Sequence, residues 1–197
     1  MWIKRDDLSS FDLSGNKVRK LEFLMAAAVA SGHDSIITIG GQQSNHARAT
    51  ACCSKQLGLE SHLILRCPDP EKDPGLAGNL LLNRLVGANI YTVSPGTYAR
   101  IGSAELTAQL AEKLRAQGKN PYVVPVGGSN ELGAWGYIEF VRELIQQCQD
   151  MAIGDFDHII FACGSGGTAT GIALGLRLSG IKTKVHAVGV CDSPVHS

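Results

Sequence analysis

The chain has 197 residues, 44% of them hydrophobic and 18% charged, with 18 basic side chains balancing 18 acidic ones. A chain of this length buries roughly 70% of its unfolded surface, so it folds around an apolar core without disulfides or metal, and its composition excludes a fibre or a disordered tail. Zero net charge, with no basic cluster beyond Lys17, Arg19 and Lys20, disfavours a nucleic-acid partner, and no stretch approaches the ~20 apolar residues of a membrane span.

The opening Met1-Trp2-Ile3-Lys4-Arg5-Asp6-Asp7 has neither a secretory apolar region nor a transit-peptide composition, so a soluble compartment, cytoplasm or mitochondrial matrix, is expected. Helical periodicity then begins, and 17–31 predicts the first helix. Strand 35–39 runs into Gly40-Gly41 and a helix over 44–57. Strand 62–65 is followed by the turn-rich loop 67–75 and a helix over 76–86. Next come strand 90–93, helix 103–117 and strand 122–124. Pro125-Val126-Gly127-Gly128-Ser129-Asn130 breaks the rhythm and marks a domain junction. Helix 132–149, strand 158–161, helix 168–179 and strand 185–188 complete the chain. Strands separated by a helix each time must run parallel with right-handed crossovers, which is the α/β doubly wound class, and ligands bind at the carboxyl ends of such strands.

Six cysteines without a CxxC pair read as reduced thiols, and six histidines without HxH or HExxH disfavour a metal site. Gly40-Gly41 and Gly127-Gly128 are each followed shortly by Ser-Asn, an echo expected to reflect shared turn chemistry rather than a repeat.

Three features carry candidate chemistry. On the first helix Val18, Leu21, Leu24, Met25 and Ala28 form one apolar stripe, with Lys17 projecting into its middle and Lys20 at its edge. Desolvation, the helix dipole and the neighbouring cations would together favour the neutral Lys17 amine that Schiff-base chemistry needs; the alternative is a lysine whose tip reaches water. Ser44-Asn45 after Gly40-Gly41 place a hydroxyl, an amide and backbone N–H groups at a helix mouth, an anion site or an ordinary cap. Gly164, Ser165, Gly166, Gly167 and Thr168 turn a strand into a helix and deliver N–H groups and a hydroxyl to a phosphate. With Ala169 the same residues satisfy the GxGxxA form of the dinucleotide fingerprint, with Asp192 near the ribose-binding position, so a nicotinamide-dependent oxidoreductase is an alternative. The missing Walker lysine argues against a nucleotide triphosphatase.

Together these pieces resemble the fold-type II pyridoxal-phosphate enzymes, in the branch of D-cysteine desulfhydrase and 1-aminocyclopropane-1-carboxylate deaminase. The resemblance rests on Trp2-Ile3-Lys4-Arg5-Asp6-Asp7-Leu8, Ser14-Gly15-Asn16-Lys17-Val18-Arg19-Lys20-Leu21-Glu22-Phe23, Ile39-Gly40-Gly41 with Gln43-Ser44-Asn45-His46, Val124-Pro125-Val126-Gly127-Gly128-Ser129-Asn130 and Ala162-Cys163-Gly164-Ser165-Gly166-Gly167-Thr168. It implies pyridoxal phosphate as cofactor, with Lys17 as the Schiff-base lysine and the base at Cα. Asn45 would bond the phenolic oxygen, Ser44 would face the substrate, and Gly164, Ser165, Gly166, Gly167 and Thr168 would hold the phosphate. The implied reaction is α,β-elimination of D-cysteine to pyruvate, ammonia and hydrogen sulfide, with cyclopropane deamination second and a catalytically incompetent fragment that binds cofactor or a full-length partner third.

The resemblance also implies two open twisted parallel sheets with flanking helices: a small domain over 17–128, and a large one from the N-terminal strand in 1–16 plus 129–197. Its full-length form would be a homodimer acting on a small amino acid. Against the family pattern the chain starts at that N-terminal strand and stops short of a complete large domain, so exposed apolar surface and slow turnover are expected.

Overall fold

The computed structural model describes residues 1–10 and 15–190. It divides into two compact units, Met1–Gly128 and Ser129–Ser197.

The first unit is built on a four-stranded parallel sheet of order β3-β2-β1-β4, comprising β1 (Ser35–Gly41), β2 (Glu60–Arg66), β3 (Asn89–Val93) and β4 (Pro121–Val123). Its central strand reads as a continuous apolar run because both faces are covered, as parallel sheets require. Ile37, Ile39 and Ile64 pack with Leu106, Leu110, Ala111 and Leu114 of α5 (Ser103–Ala116) on one face. Leu63 and Leu65 pack with Ala47 and Ala51 of α2 (Asn45–Gln56) and Leu80 of α3 (Gly78–Leu85) on the other. Helix α1 (Lys17–Ala30) lies against α2 and the short 3-10 turn Val126–Gly128.

The strands and helices expected from periodicity are all present, with ends displaced by a few residues. One helix was not anticipated, α4 (Pro95–Ile101). It is a single short segment capped by Ser94, whose Oγ accepts from Thr97 N at 3.0 Å, with Pro95 at the first position where a missing N–H costs nothing. Among the described residues the expected N-terminal strand is absent: residues 1–5 join neither sheet, and Asp6–Leu8 form one 3-10 turn. A strand persists only where a neighbour completes its ladder, and here side chains hold the segment instead. Arg19 donates to both Asp6 carboxylate oxygens, the closest at 2.9 Å, and Ser9 Oγ donates to the Gly15 carbonyl.

The second unit pairs β5 (His158–Cys163) with β6 (Lys184–Gly189) in parallel. Helices α6 (Glu131–Asp150) and α7 (Gly167–Leu178) cover one face, where Tyr137, Phe140, Val141, Ile172 and Leu176 meet Ile159, Phe161 and Val185. The alternate residues face outward. Ile160 is 71% exposed and Val188 53%, the apolar exposure expected of so small a sheet.

Helices α6 and α7 approach closely because α7 presents Gly171 and Gly175. A Cβ on Gly171 would lie 2.4 Å from Tyr137 Cβ and 2.6 Å from the Ala134 carbonyl, so no other residue fits. Among the described residues no helix is long and apolar enough to cross a membrane.

Candidate active site

In the first unit the chemistry collects at the carboxyl end of β1 and the starts of α1 and α2. Gly40 is there because Ser44 folds back over it: a Cβ would lie 2.7 Å from Ser44 Oγ. Ser44 caps α2, its Oγ accepting from Ala47 N at 3.1 Å, which leaves the hydroxyl proton available to a ligand. The two readings of this residue are therefore compatible.

Asn45 lies exposed one residue on, and a residue the sequence did not single out orients it. Asn79 donates one amide proton to Asn45 Oδ1 at 2.8 Å and the other to the Gln43 carbonyl at 2.9 Å. With its oxygen so occupied, Asn45 turns its own NH2 outward as a donor. Gln43 closes the arrangement, accepting from Asn79 N and donating to the Ala77 carbonyl. Asn79 stands 34 residues from Asn45 in a helix start, and no local pattern marks it.

Lys17 opens α1 half-buried, and burial pushes its amine below the ordinary 10.5. Burial is the cause; the expected help from neighbouring cations is small in structural terms, since Arg19 is paired with Asp6. Lys20 corrects the helical-wheel reading. Expected at the edge of the stripe, it is only 1% exposed, and its Nζ donates to the Gly127 carbonyl at 3.2 Å.

That carbonyl is presented by two consecutive left-handed glycines, Gly127 (φ 66°) and Gly128 (φ 62°). A Cβ on Gly128 would crowd Leu24, Lys20 and His46 at 3.2, 3.4 and 3.6 Å. Gly40 and Gly41 are instead strand residues without positive φ, so the Gly-Gly echo is not shared turn chemistry. The second Ser-Asn also works differently: Asn130 rather than the serine caps α6, accepting from Gly133 N at 2.8 Å.

His46 follows Asn45 into the core. It is 4% exposed, and its Nε2 lies 2.9 Å from Thr38 Oγ1. Burial holds its pKa down to about 3, with Lys17 and Lys20 adding to the effect and the Pro125 carbonyl opposing it weakly. The ring is therefore neutral at physiological pH.

In the second unit β5 runs into the glycine turn. Gly166 is left-handed (φ 82°) and has open space where a Cβ would be, and α7 begins at Gly167. The first N–H groups of a helix have no partner within it, so this turn aims free donors outward from a positive dipole end. Ser165 Oγ lies 2.7 Å from Ser129 Oγ, tying the turn to the start of α6. Asp192, the residue on which a dinucleotide reading leaned, lies outside the described residues.

The described cysteines form no disulfide, and burial, with Cys52 and Glu22 nearby, pushes the Cys53 thiol up to about 11.

A half-buried lysine and an oriented amide in the first unit, and a glycine turn with backbone donors in the second, are groups that a class of enzymes would use to bind an aldehyde cofactor bearing a phosphate. The residues fit pyridoxal phosphate, since the lysine leans toward its neutral form and the turn offers backbone donors with room beside Gly166. The chain matches the pyridoxal-phosphate dependent enzyme family over residues 1–197 and belongs to it. Its cofactor is thus pyridoxal phosphate, and the nicotinamide alternative falls.

Among its relatives, the bifunctional D-cysteine desulfhydrase/1-aminocyclopropane-1-carboxylate deaminase, mitochondrial, of Arabidopsis thaliana is 58% identical over 98% of this chain and 49% of its own length. The D-cysteine desulfhydrase of Serratia proteamaculans is 42% identical over 90% of this chain and 53% of its own. A crystal structure of an ACC deaminase homologue superposes with a TM-score of 0.80 at 36% identity, covering 91% of this chain and 52% of that one. The fold is that of fold-type II, and the chain spans about half the length of the curated relatives it matches.

Proposed function

We propose that this chain supplies the cofactor lysine and the phosphate-binding turn of a carbon–sulfur lyase that converts D-cysteine to pyruvate, ammonia and hydrogen sulfide. The observation that carries the reading is the half-buried Lys17, whose amine burial holds below its ordinary pKa. An amine in that state is a nucleophile near neutral pH and, once released by substrate, a base able to take the proton from Cα.

Bound pyridoxal phosphate would supply an electron sink for the pair left at Cα. The chain's own groups do the rest. Asn45, its oxygen engaged by Asn79, would hold the cofactor's phenolic oxygen through its amide. Ser44 gives its hydroxyl proton toward the substrate. The backbone N–H groups around Gly164, Ser165, Gly166 and Gly167, with the Thr168 hydroxyl, would hold the phosphate.

The domain assignment belongs to the same reading: 17–128 form the smaller domain, and 1–16 with 129–197 part of the larger. The division at Gly128 and Ser129 supports its second boundary, whereas the pairing of Arg19 with Asp6 draws the opening segment toward the first unit. A homodimer in the cytoplasm or mitochondrial matrix completes the proposal, the matrix being favoured by the mitochondrial name of the plant relative.

Deamination of 1-aminocyclopropane-1-carboxylate is the second reading, supported by the double name of that relative and by the solved deaminase homologue. Borohydride reduction after reconstitution with pyridoxal phosphate, followed by peptide mapping, tests the site; the label is expected on Lys17, and label on Lys20 or none overturns it. Sulfide release from D-cysteine set beside 2-oxobutanoate release from the cyclopropane substrate separates the two reactions.

A further inference from the structure

Two backbone carbonyls settle the polarity of the amides at the mouth of α2. A carbonyl oxygen can only accept, so the Asn79 side-chain atom 2.9 Å from the Gln43 carbonyl is the NH2 nitrogen. The same nitrogen lies 2.8 Å from the Asn45 side chain, which must therefore offer its Oδ1. Gln43 is fixed by the same logic: its Nε2 donates to the Ala77 carbonyl at 3.0 Å, so Oε1 is the atom that accepts from Asn79 N at 2.8 Å. Read this way, every donor meets an acceptor, and turning any one amide over sets like against like.

The segment that carries these groups is fitted to the turn. Gly78 (φ 56°) passes against Gln43, where a Cβ would lie 2.5 Å from Oε1, and Gln42 Nε2 donates to the Pro74 carbonyl at 3.0 Å. Residues 74–79 are thus fastened to residues 42–45 at both ends. Asn79 stands in the first turn of α3, where the helix dipole by itself would favour an acid. What demands an amide there is the pair of oxygens, one from Asn45 and one from Gln43, that a single nitrogen has to serve.

We propose that Asn79, seated by Gln43 and Gly78, is a positioning residue that locks the polarity of Asn45, holding its oxygen toward α3 and presenting its NH2 as the donor for the phenolic oxygen of bound pyridoxal phosphate. Asn45 is exposed, and unlocked it would as readily set its own oxygen against that anionic one. The last step rests on the reading of Asn45 as a cofactor ligand; the lock itself is tested with no cofactor.

In the full chain without pyridoxal phosphate, NMR measures how fast each side-chain NH2 exchanges protons with water. The wild type should show a slow Asn79 pair and a fast Asn45 pair. Asn79→Asp keeps the shape of the side chain and suits the helix start, but brings an acceptor where both oxygens need a donor. Asn45 should then turn its NH2 inward to the carboxylate, and its exchange should slow roughly fivefold. A protected Asn45 pair in the wild type, or one that Asn79→Asp leaves unchanged, overturns the lock; the wild-type measurement decides alone should the variant fail to fold.

Pyridoxal phosphate retention by equilibrium dialysis carries the test to the cofactor. Asn79→Asp should weaken it about tenfold and Asn79→Ala only about threefold, because alanine frees Asn45 whereas the acid reverses it. A residue that matters for shape alone would give the opposite order. In an Asn45→Ala background Asn79→Asp should cost almost nothing further, since it acts through Asn45. An undiminished tenfold cost there would show the carboxylate repelling the anionic cofactor directly and would overturn the proposed role. Wild-type retention in Asn45→Ala itself would remove Asn45 from the proposed cofactor site, with the lock still judged by proton exchange.

Discussion

The two units solve the same packing problem to different degrees. In the first, β1 is buried on both faces, and the strand carrying Ile37 and Ile39 also carries Thr38, a polar group the core can hold because Val124 and His46 satisfy it. In the second, two strands have one covered face, and Ile160 and Val188 look outward. The contrast extends to histidine: His46 is enclosed and kept neutral, whereas His158 and His186 bond to each other across exposed strand surface. The side chains proposed to react therefore border the better-packed unit, and the turn proposed to hold the phosphate through backbone N–H groups lies in the sparser one. A backbone cradle needs only a strand end and a helix start; a tuned amine needs a closed core.

The comparison breaks most visibly if core deletion fails to separate the units. Ile37→Ala removes a fully buried side chain between β1 and α5 and should cost about 2–5 kcal/mol. Hydrogen exchange should show the loss in β1 and β2 while the amides of α6 and α7 hold their protection; an equal loss in both units would mean that they unfold as one.

A smaller effect is expected from Gly171→Val, which forces a side chain against Tyr137 and the Ala134 carbonyl and should destabilise the second unit by about 1–3 kcal/mol. Faster proteolysis within α6 and α7, with the first unit intact, is the result to look for. Ile160→Thr, on the open strand face, should change stability by less than about 0.5 kcal/mol and reduce aggregation measured by light scattering. A large loss of stability there would show that the outward face is covered in solution.

Much of this was legible in the chain. Alternation of β-branched runs with 3.6-residue periodicity located the six strands and every helix but α4, whose Ser94-Pro95 start is a cap signal on a segment too short to show a period. The glycine turn before α7 was readable because glycine, strand end and helix start are contiguous. Lys17 was singled out, yet its neighbour Lys20 was misjudged. A helical wheel assigns faces from one helix alone, whereas the burial of Lys20 is decided by a carbonyl 107 residues away.

The sequence by itself determined the periods, the turns and the inventory of reactive groups, because each depends on residues a few positions apart. Tertiary structure alone decided which of two lysines is enclosed, which group orients Asn45 and which hydroxyl meets the buried ring of His46. Those outcomes are hydrogen bonds between groups 8 to 107 residues apart, with Asn79, Thr38, Val124 and Gly127 as the partners that settle them. A buried polar atom takes its state from whatever donor or acceptor the fold brings beside it, and no local pattern records that neighbour.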